Sequence, residues 1–156
     1  MNKKLIAIGN PLMGDDSIGI KIANTLKTQL DKLNIEVIIG ETDIDYCLNA
    51  IEDNDFVIIL DSTKYNINPG TVTITSFKSK KHFDKHHNVN YFSLHGYNLI
   101  DLINLNHIHI RGYLIGIESC SIDFNLNLSP ILEKSFNNIC TKIYKKIVNI
   151  LNSETI

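Results

Sequence analysis

The sequence predicts an α/β fold: a three-layer sandwich with a mostly parallel, twisted sheet between helices on both faces. Three observations carry that prediction. Short apolar runs such as KLIAIG (4–9), EVIIG (36–40) and FVIIL (56–60) have the composition of strands buried on both sides. Between them, apolar residues recur every three or four positions, as on one face of a helix. The two patterns alternate along 156 residues, a length suited to a single domain, 1–156, with its own core.

The elements follow in order. Residues 4–9 form the first strand. From Ser17 onward, Ile18, Ile22, Leu26, Leu30 and Leu33 mark an amphipathic helix. Residues 36–40 are a second strand, and Ile44, Leu48 and Ile51 fit a short helix. Residues 56–60 are a third strand, stopping at Asp61. KYNINPG (64–70) is a loop with a Pro-Gly turn. TVTITSF (71–77) alternates and is rich in β-branched residues, so it is a strand. Residues 78–88 are polar and basic, an exposed loop, and VNYFSL (89–94) is a further strand candidate ending before His95. Residues 97–105 read as a helix, and 108–117 as a last strand with an irregularity at Gly112. On it, His107 and His109 alternate with Ile108 and Ile110, which places them on the solvent side of an edge strand. Ser129 as cap and Pro130 as first helical residue open a long C-terminal helix, striped by Leu132, Phe136, Ile139, Ile143, Ile147 and Ile150.

Composition narrows the function. With 44% hydrophobic and 21% charged residues and a net charge of −2, there is no electrostatic case for nucleic acid or an acidic membrane surface. No apolar run is long enough to span a bilayer. The N-terminal MNKKLIAIGNP reads as a first strand and not as a secretory leader. Three widely spaced cysteines, Cys47, Cys120 and Cys140, contain no C-x-x-C pair. They fit reduced thiols in a cytoplasm better than a disulfide framework or a structural zinc site.

In sheets of this class the ligand site lies beyond the carboxyl ends of the strands. Three such ends carry metal-ligand residue types: Asp15 and Asp16 after the first strand, Asp61 after the third, and His95 before the helix at 97. Two carboxylates and an imidazole suit a divalent cation such as nickel or zinc. Gly9 and Gly14 have the spacing of a phosphate loop, but acids follow where Lys and Ser or Thr belong. Two like charges about 4 Å apart cost on the order of 4 kcal/mol at an effective dielectric near 20, so a phosphate is disfavoured there. Each residue also has a plainer role open to it. Either aspartate can cap the following helix, Asp61 can close an Asx-turn, and His95 can be a hydrogen-bonded structural residue. One cap needs one acid, which leaves a second in surplus.

Five segments together extend this picture: GNPLMGDDSIG (9–19), DFVIILDSTKYNINPGTV (55–72), SLHGYNLIDLI (93–103), GYLIGIES (112–119) and LSPILEKSF (128–136). In order and spacing the set resembles the hydrogenase maturation endopeptidases, over nearly the whole chain. The resemblance implies a protease that removes a C-terminal extension from the large-subunit precursor of a nickel–iron hydrogenase once nickel is inserted. It implies three metal-binding and catalytic positions, Asp16 (the second of the paired acids), Asp61 and His95, with nickel carried by the protein substrate. Two positions and one segment depart from the family pattern: Ser17 stands where glycine is frequent, Ser119 where proline is frequent, and 38–43 reads IIGETD. Rival functions are a germination or spore-protein type protease on the same scaffold, and a non-catalytic module binding a nucleotide or flavin. Asp16 or Asp61 could alternatively act as a general base. The cysteines lie near no strand-end histidine and supply no nucleophile in this scheme. His82, His86 and His87, among the lysines of the 78–88 loop, read as a solvated segment or a basic flap.

Overall fold

The structure is a computed structural model and describes residues 2–78 and 95–154. Five strands, β1 (Lys3–Ile8), β2 (Ile35–Glu41), β3 (Phe56–Thr63), β4 (Val72–Lys78) and β5 (Arg111–Glu118), form one sheet in the order β2-β1-β3-β5-β4. All neighbours run parallel except β4, which pairs antiparallel with β5 at the sheet edge. The helices are α1 (Ile18–Asp31), α2 (Ile44–Asn49), α3 (Gly96–Leu105) and α4 (Pro130–Glu154). The α/β fold with a mostly parallel sheet is therefore the one expected.

Side chains of a strand alternate between the two faces of the sheet, and here both faces are apolar. Leu5, Ala7, Ile58, Leu60, Ile115 and Ile117 pack in one cluster with α1 and α4. Ile6, Ile8, Val57, Ile59 and Leu114 pack in a second cluster with Cys47 of α2 and with Leu99, Ile100 and Ile103 of α3. All eight residues of β3 are buried, as a central strand covered on both sides requires. Among the described residues no helix is long and apolar enough to cross a membrane.

Several expectations shift. The last strand begins at Arg111, because 106–110 is spent as a connector: His107 adopts φ 57°, the Ile108 N–H returns to the Ile103 carbonyl, and His109 is tied to the 53–54 turn. His107 and His109 thus lie on no strand, and β5 is interior, between β3 and β4. Gly112 breaks nothing; its pairing with Val57 is in register. Its bare Cα lets the two strands approach where an added Cβ would collide with the Val57 carbonyl. The irregularity falls instead in the pairing of β1 with β2, where Ala7 faces Ile39 and Ile8 faces Glu41, skipping Gly40. The first helix stops at Asp31, before Leu33, although Leu33 still packs on the core. The strand expected at 89–94 lies outside the described residues, as does the basic loop beyond Lys78.

One ion pair sits inside the first layer. Lys4 of β1 is buried, and its Nζ lies 2.7 Å from Asp55 Oδ2 and donates to the Ala50 carbonyl at 2.7 Å. Burial pulls the Asp55 pKa up, but Lys4 and the N–H groups of Glu52 and Asn2 outweigh it and hold the carboxyl below its ordinary value. Asp55→Ala strands the lysine and is expected to cost about 3–5 kcal/mol in urea unfolding. Because the folded pKa is depressed, the stabilisation from Asp55 is present above the unfolded value of about 3.9 and is lost as pH falls through the folded one. The stability gap between wild type and Asp55→Ala should therefore narrow in acid below that value.

Candidate metal centre

The site is built on the turn after β1. Gly9 has φ +138°, a conformation open to glycine, and a Cβ there would strike the Asp16 carbonyl. The chain thus folds tightly back over the strand end. Asn10 shapes the turn: its Oδ1 accepts from the Leu12 N–H at 3.0 Å and its carbonyl from Met13 at 3.1 Å. A single buried 3-10 turn, Gly14–Ser17, follows and carries both acids.

Consecutive residues point apart, and the two aspartates do different work. Asp15 is fully buried. Its Oδ1 accepts from the Ser129 N–H at 2.7 Å, and its Oδ2 from Cys120 N at 2.8 Å, Ser121 N at 3.1 Å and Ser129 Oγ at 2.8 Å. Asp16 faces the sheet instead. Its Oδ2 accepts from the Asn10 N–H at 2.7 Å and its Oδ1 from Ser62 Oγ at 2.5 Å. Neither acid caps α1, whose N-cap is Ser17; the Ser17 hydroxyl makes no capping bond and donates instead to the Gly14 carbonyl at 2.7 Å. The Ser129 hydroxyl is likewise engaged with Asp15, although Pro130 does open α4.

Asp61 lies inside β3 and not beyond its end, since the strand continues to Thr63 beside β5. The extra rungs come from Ser62 and Thr63, polar residues that pair with Ile117 and Glu118. Asp61 is fully buried; Oδ1 accepts from the Ser62 N–H at 2.8 Å and Oδ2 from the Gly96 N–H at 3.0 Å. Gly96 is the first residue of α3, so the positive end of the helix dipole meets the carboxylate. The residue just before it is His95, partly exposed, with Nδ1 3.7 Å from Asp61 Oδ1. The Asp61 carboxylate holds the His95 pKa above its ordinary value, with the charge of Asp16 adding, while partial burial works the other way.

One ligand atom each from Asp16, Asp61 and His95 fall within 4.8 Å of one another. Ligands about 2.0–2.2 Å from a shared ion lie roughly 3–4 Å apart, so the three can close on one divalent cation with small side-chain adjustments. Two oxygen donors and one nitrogen donor, with the exposed side left for a further ligand, match the borderline divalent metals. A phosphate would meet the two carboxylates instead, which argues against a nucleotide at this end of the sheet.

Sequence reasoning missed Ser62 and Glu118, and it picked out Asp15 without its role. Asp15 was a surplus acid, and its partners lie more than a hundred positions away. Ser62 gave no signal beyond its place next to Asp61. Glu118, at the end of β5, is buried and accepts from Thr63 Oγ1, Tyr65 N and Ile67 N, which pins the 64–67 loop. A strand-end search applied to β5 would have found it. The Cys47 thiol is pushed up to about 11, chiefly by burial, and burial also raises Cys140. All three cysteines are free, and these two buried thiols are poor nucleophiles. His82, His86 and His87 lie outside the described residues.

Fold and site together define an α/β protein with an acid–acid–histidine cluster at the carboxyl end of a parallel sheet. The family model described as hydrogenase maturation protease (HycI) matches residues 20–146, from just after Asp16 through Asp61 and His95. The chain belongs to the hydrogenase maturation protease family and is a peptidase. Solved structures agree in fold. The hydrogenase maturating endopeptidase HybD of E. coli superposes with TM-score 0.71 at 18% identity, over 96% of this chain and 93% of that one. The [NiFe] hydrogenase maturation protease HybD of Thermococcus kodakarensis gives 0.71 at 24%, over 94% and 99%. HycI of the same organism gives 0.60 at 18%, over 97% and 93%. No curated protein sequence matches the chain.

Two outcomes are expected. Asp15→Asn turns an amide N–H₂ toward donors and should destabilise the fold by about 3 kcal/mol, read in urea unfolding. For His95, the raised folded pKa means that the protonated ring stabilises the metal-free protein below about 6.5 and that this contribution is lost as pH rises through the folded value. The stability advantage of wild type over His95→Gln should therefore shrink from pH 5.5 toward pH 8, while divalent metal affinity, which needs the neutral ring, rises over the same interval.

Proposed function

We propose that this peptidase, acting as a single domain of residues 1–156, removes the C-terminal extension of a nickel–iron hydrogenase large-subunit precursor after nickel insertion. Asp16, Asp61 and His95 recognise the nickel carried by the precursor by completing its coordination. The scissile bond is thereby docked beside the same site, and a precursor without nickel lacks the ion that would seat it. The observation that carries this reading is the convergence of those three side chains within 4.8 Å, in a member of the hydrogenase maturation protease family.

The chain's own groups supply the rest. Asp61, fixed by Ser62 N and Gly96 N, and Asp16, fixed by Asn10 N and Ser62 Oγ, present oxygens whose directions are set before substrate arrives. His95 is the more exposed member and stands on the solvent side of the pair. Either carboxylate is also placed to take a proton from water as general base. The free cysteines support a cytoplasmic site of action.

The test is trimming of nickel-loaded precursor followed by mass spectrometry. Asp16→Asn and His95→Ala should each slow it by at least about 100-fold with the melting transition retained. Wild type should leave nickel-free precursor uncut. Wild-type rates in both variants would refute the proposal.

A further inference from the structure

Ser62 touches both acids of the cluster. Its N–H donates to Asp61 Oδ1 at 2.8 Å and its hydroxyl to Asp16 Oδ1 at 2.5 Å. The side chain is buried in a strand that is buried throughout. Asp61 comes to the site on β3, the most enclosed strand, whereas Asp16 comes on a 3-10 turn after β1. The two carboxylates therefore belong to separate pieces of backbone, and Ser62 bridges them, with its N–H on Asp61 and its hydroxyl on Asp16. The opposite oxygen of Asp16 accepts from the Asn10 N–H. With one donor on each oxygen, the plane of the carboxylate is fixed, and so is the direction in which its remaining lone pairs point.

We propose that Ser62 is a positioning residue, whose hydroxyl orients Asp16 toward a shared divalent metal and so sets the affinity and geometry of the site. The proposal rests on the metal-binding reading above. Outer-sphere hydrogen bonds to metal ligands typically account for 10- to 100-fold in affinity. A short hydrogen bond to an ionised oxygen, made in a buried position, belongs among the strong ones.

The experiment measures binding of Ni²⁺ and Co²⁺ to the full chain by calorimetry, together with the visible d–d spectrum of the Co²⁺ form. Wild type should bind both ions, and His95→Ala should bind neither well. Ser62→Ala, one atom smaller, should lose about 10- to 100-fold in affinity and change the Co²⁺ spectrum, with its metal-free melting curve still cooperative. Ser62→Thr and Ser62→Val form a matched pair, equal in shape and different in the hydroxyl. Threonine should keep affinity and spectrum near wild type, and valine should lose both, so the comparison stands even if alanine disturbs folding. Equal affinities and spectra for wild type, alanine and valine, with His95→Ala impaired, would overturn the role of Ser62 and leave the metal site standing. Failure of wild type itself to bind either ion would overturn the role assigned to Ser62, while trimming of nickel-loaded precursor tests the proposed function separately.

Discussion

The Asp15 carboxylate collects donors from Cys120, Ser121 and Ser129, and much of the site frame depends on that contact. It joins the turn after β1 to the segment between β5 and α4, two stretches separated by more than a hundred residues. The same junction is reinforced by backbone bonds from Asn125 N to the Leu12 carbonyl and from Gly14 N to the Asn125 carbonyl. A buried carboxylate without donors would be costly, so the segment from 120 to 129 is held by the desolvation it relieves. The turn that carries Asp16 is thereby braced from outside the sheet, in addition to the contacts Asp16 makes itself.

Four buried acids, Asp15, Asp16, Asp61 and Glu118, cluster toward one end of the sheet, and each is met by backbone N–H groups. Their neighbours separate them into two kinds. Asp15 and Glu118 serve loops, accepting from the 120–129 and 63–67 segments. Asp16 and Asp61 share a serine, and a histidine stands beside them. Where two carboxylates approach one another and an imidazole, a cation would offset a repulsion that hydrogen bonds alone only moderate.

Much of this was legible in the sequence, for physical reasons. Buried parallel strands are written as uninterrupted apolar runs, so β1, β2 and β3 could be read directly. The stripes of α1 and α4 follow from the helical period. Asp61 and the Asp15-Asp16 pair were legible because a parallel sheet puts the carboxyl ends of its strands at one edge, whereas the choice of Asp16 came with the family resemblance and the strand expected before His95 lies outside the described residues. Boundaries set by contacts across the sheet were not. Thr63 continues β3 because β5 lies alongside to pair with it, and residues 108–110 leave β5 because His109 is bound to Asp53. Local composition carries neither fact. Nor does it distinguish Asp15 from Asp16, which differ only in what the rest of the chain brings to them.

The difference between those two neighbours explains why a turn with phosphate-loop spacing has become something else. Gly9 permits the same tight reversal that a phosphate loop uses, and the backbone N–H of Asn10 points back into the turn. In a phosphate loop that N–H would meet an anion from solution. Here the anion is internal: the Asp16 carboxylate occupies the N–H of Asn10 and turns its other oxygen toward Ser62 and the cluster. The turn has in effect taken in its own anion, and what it then attracts is a cation. This inversion needs one acid held by the turn and facing the sheet, and a second acid to brace the turn from behind, which is the arrangement the sequence writes as Asp15-Asp16.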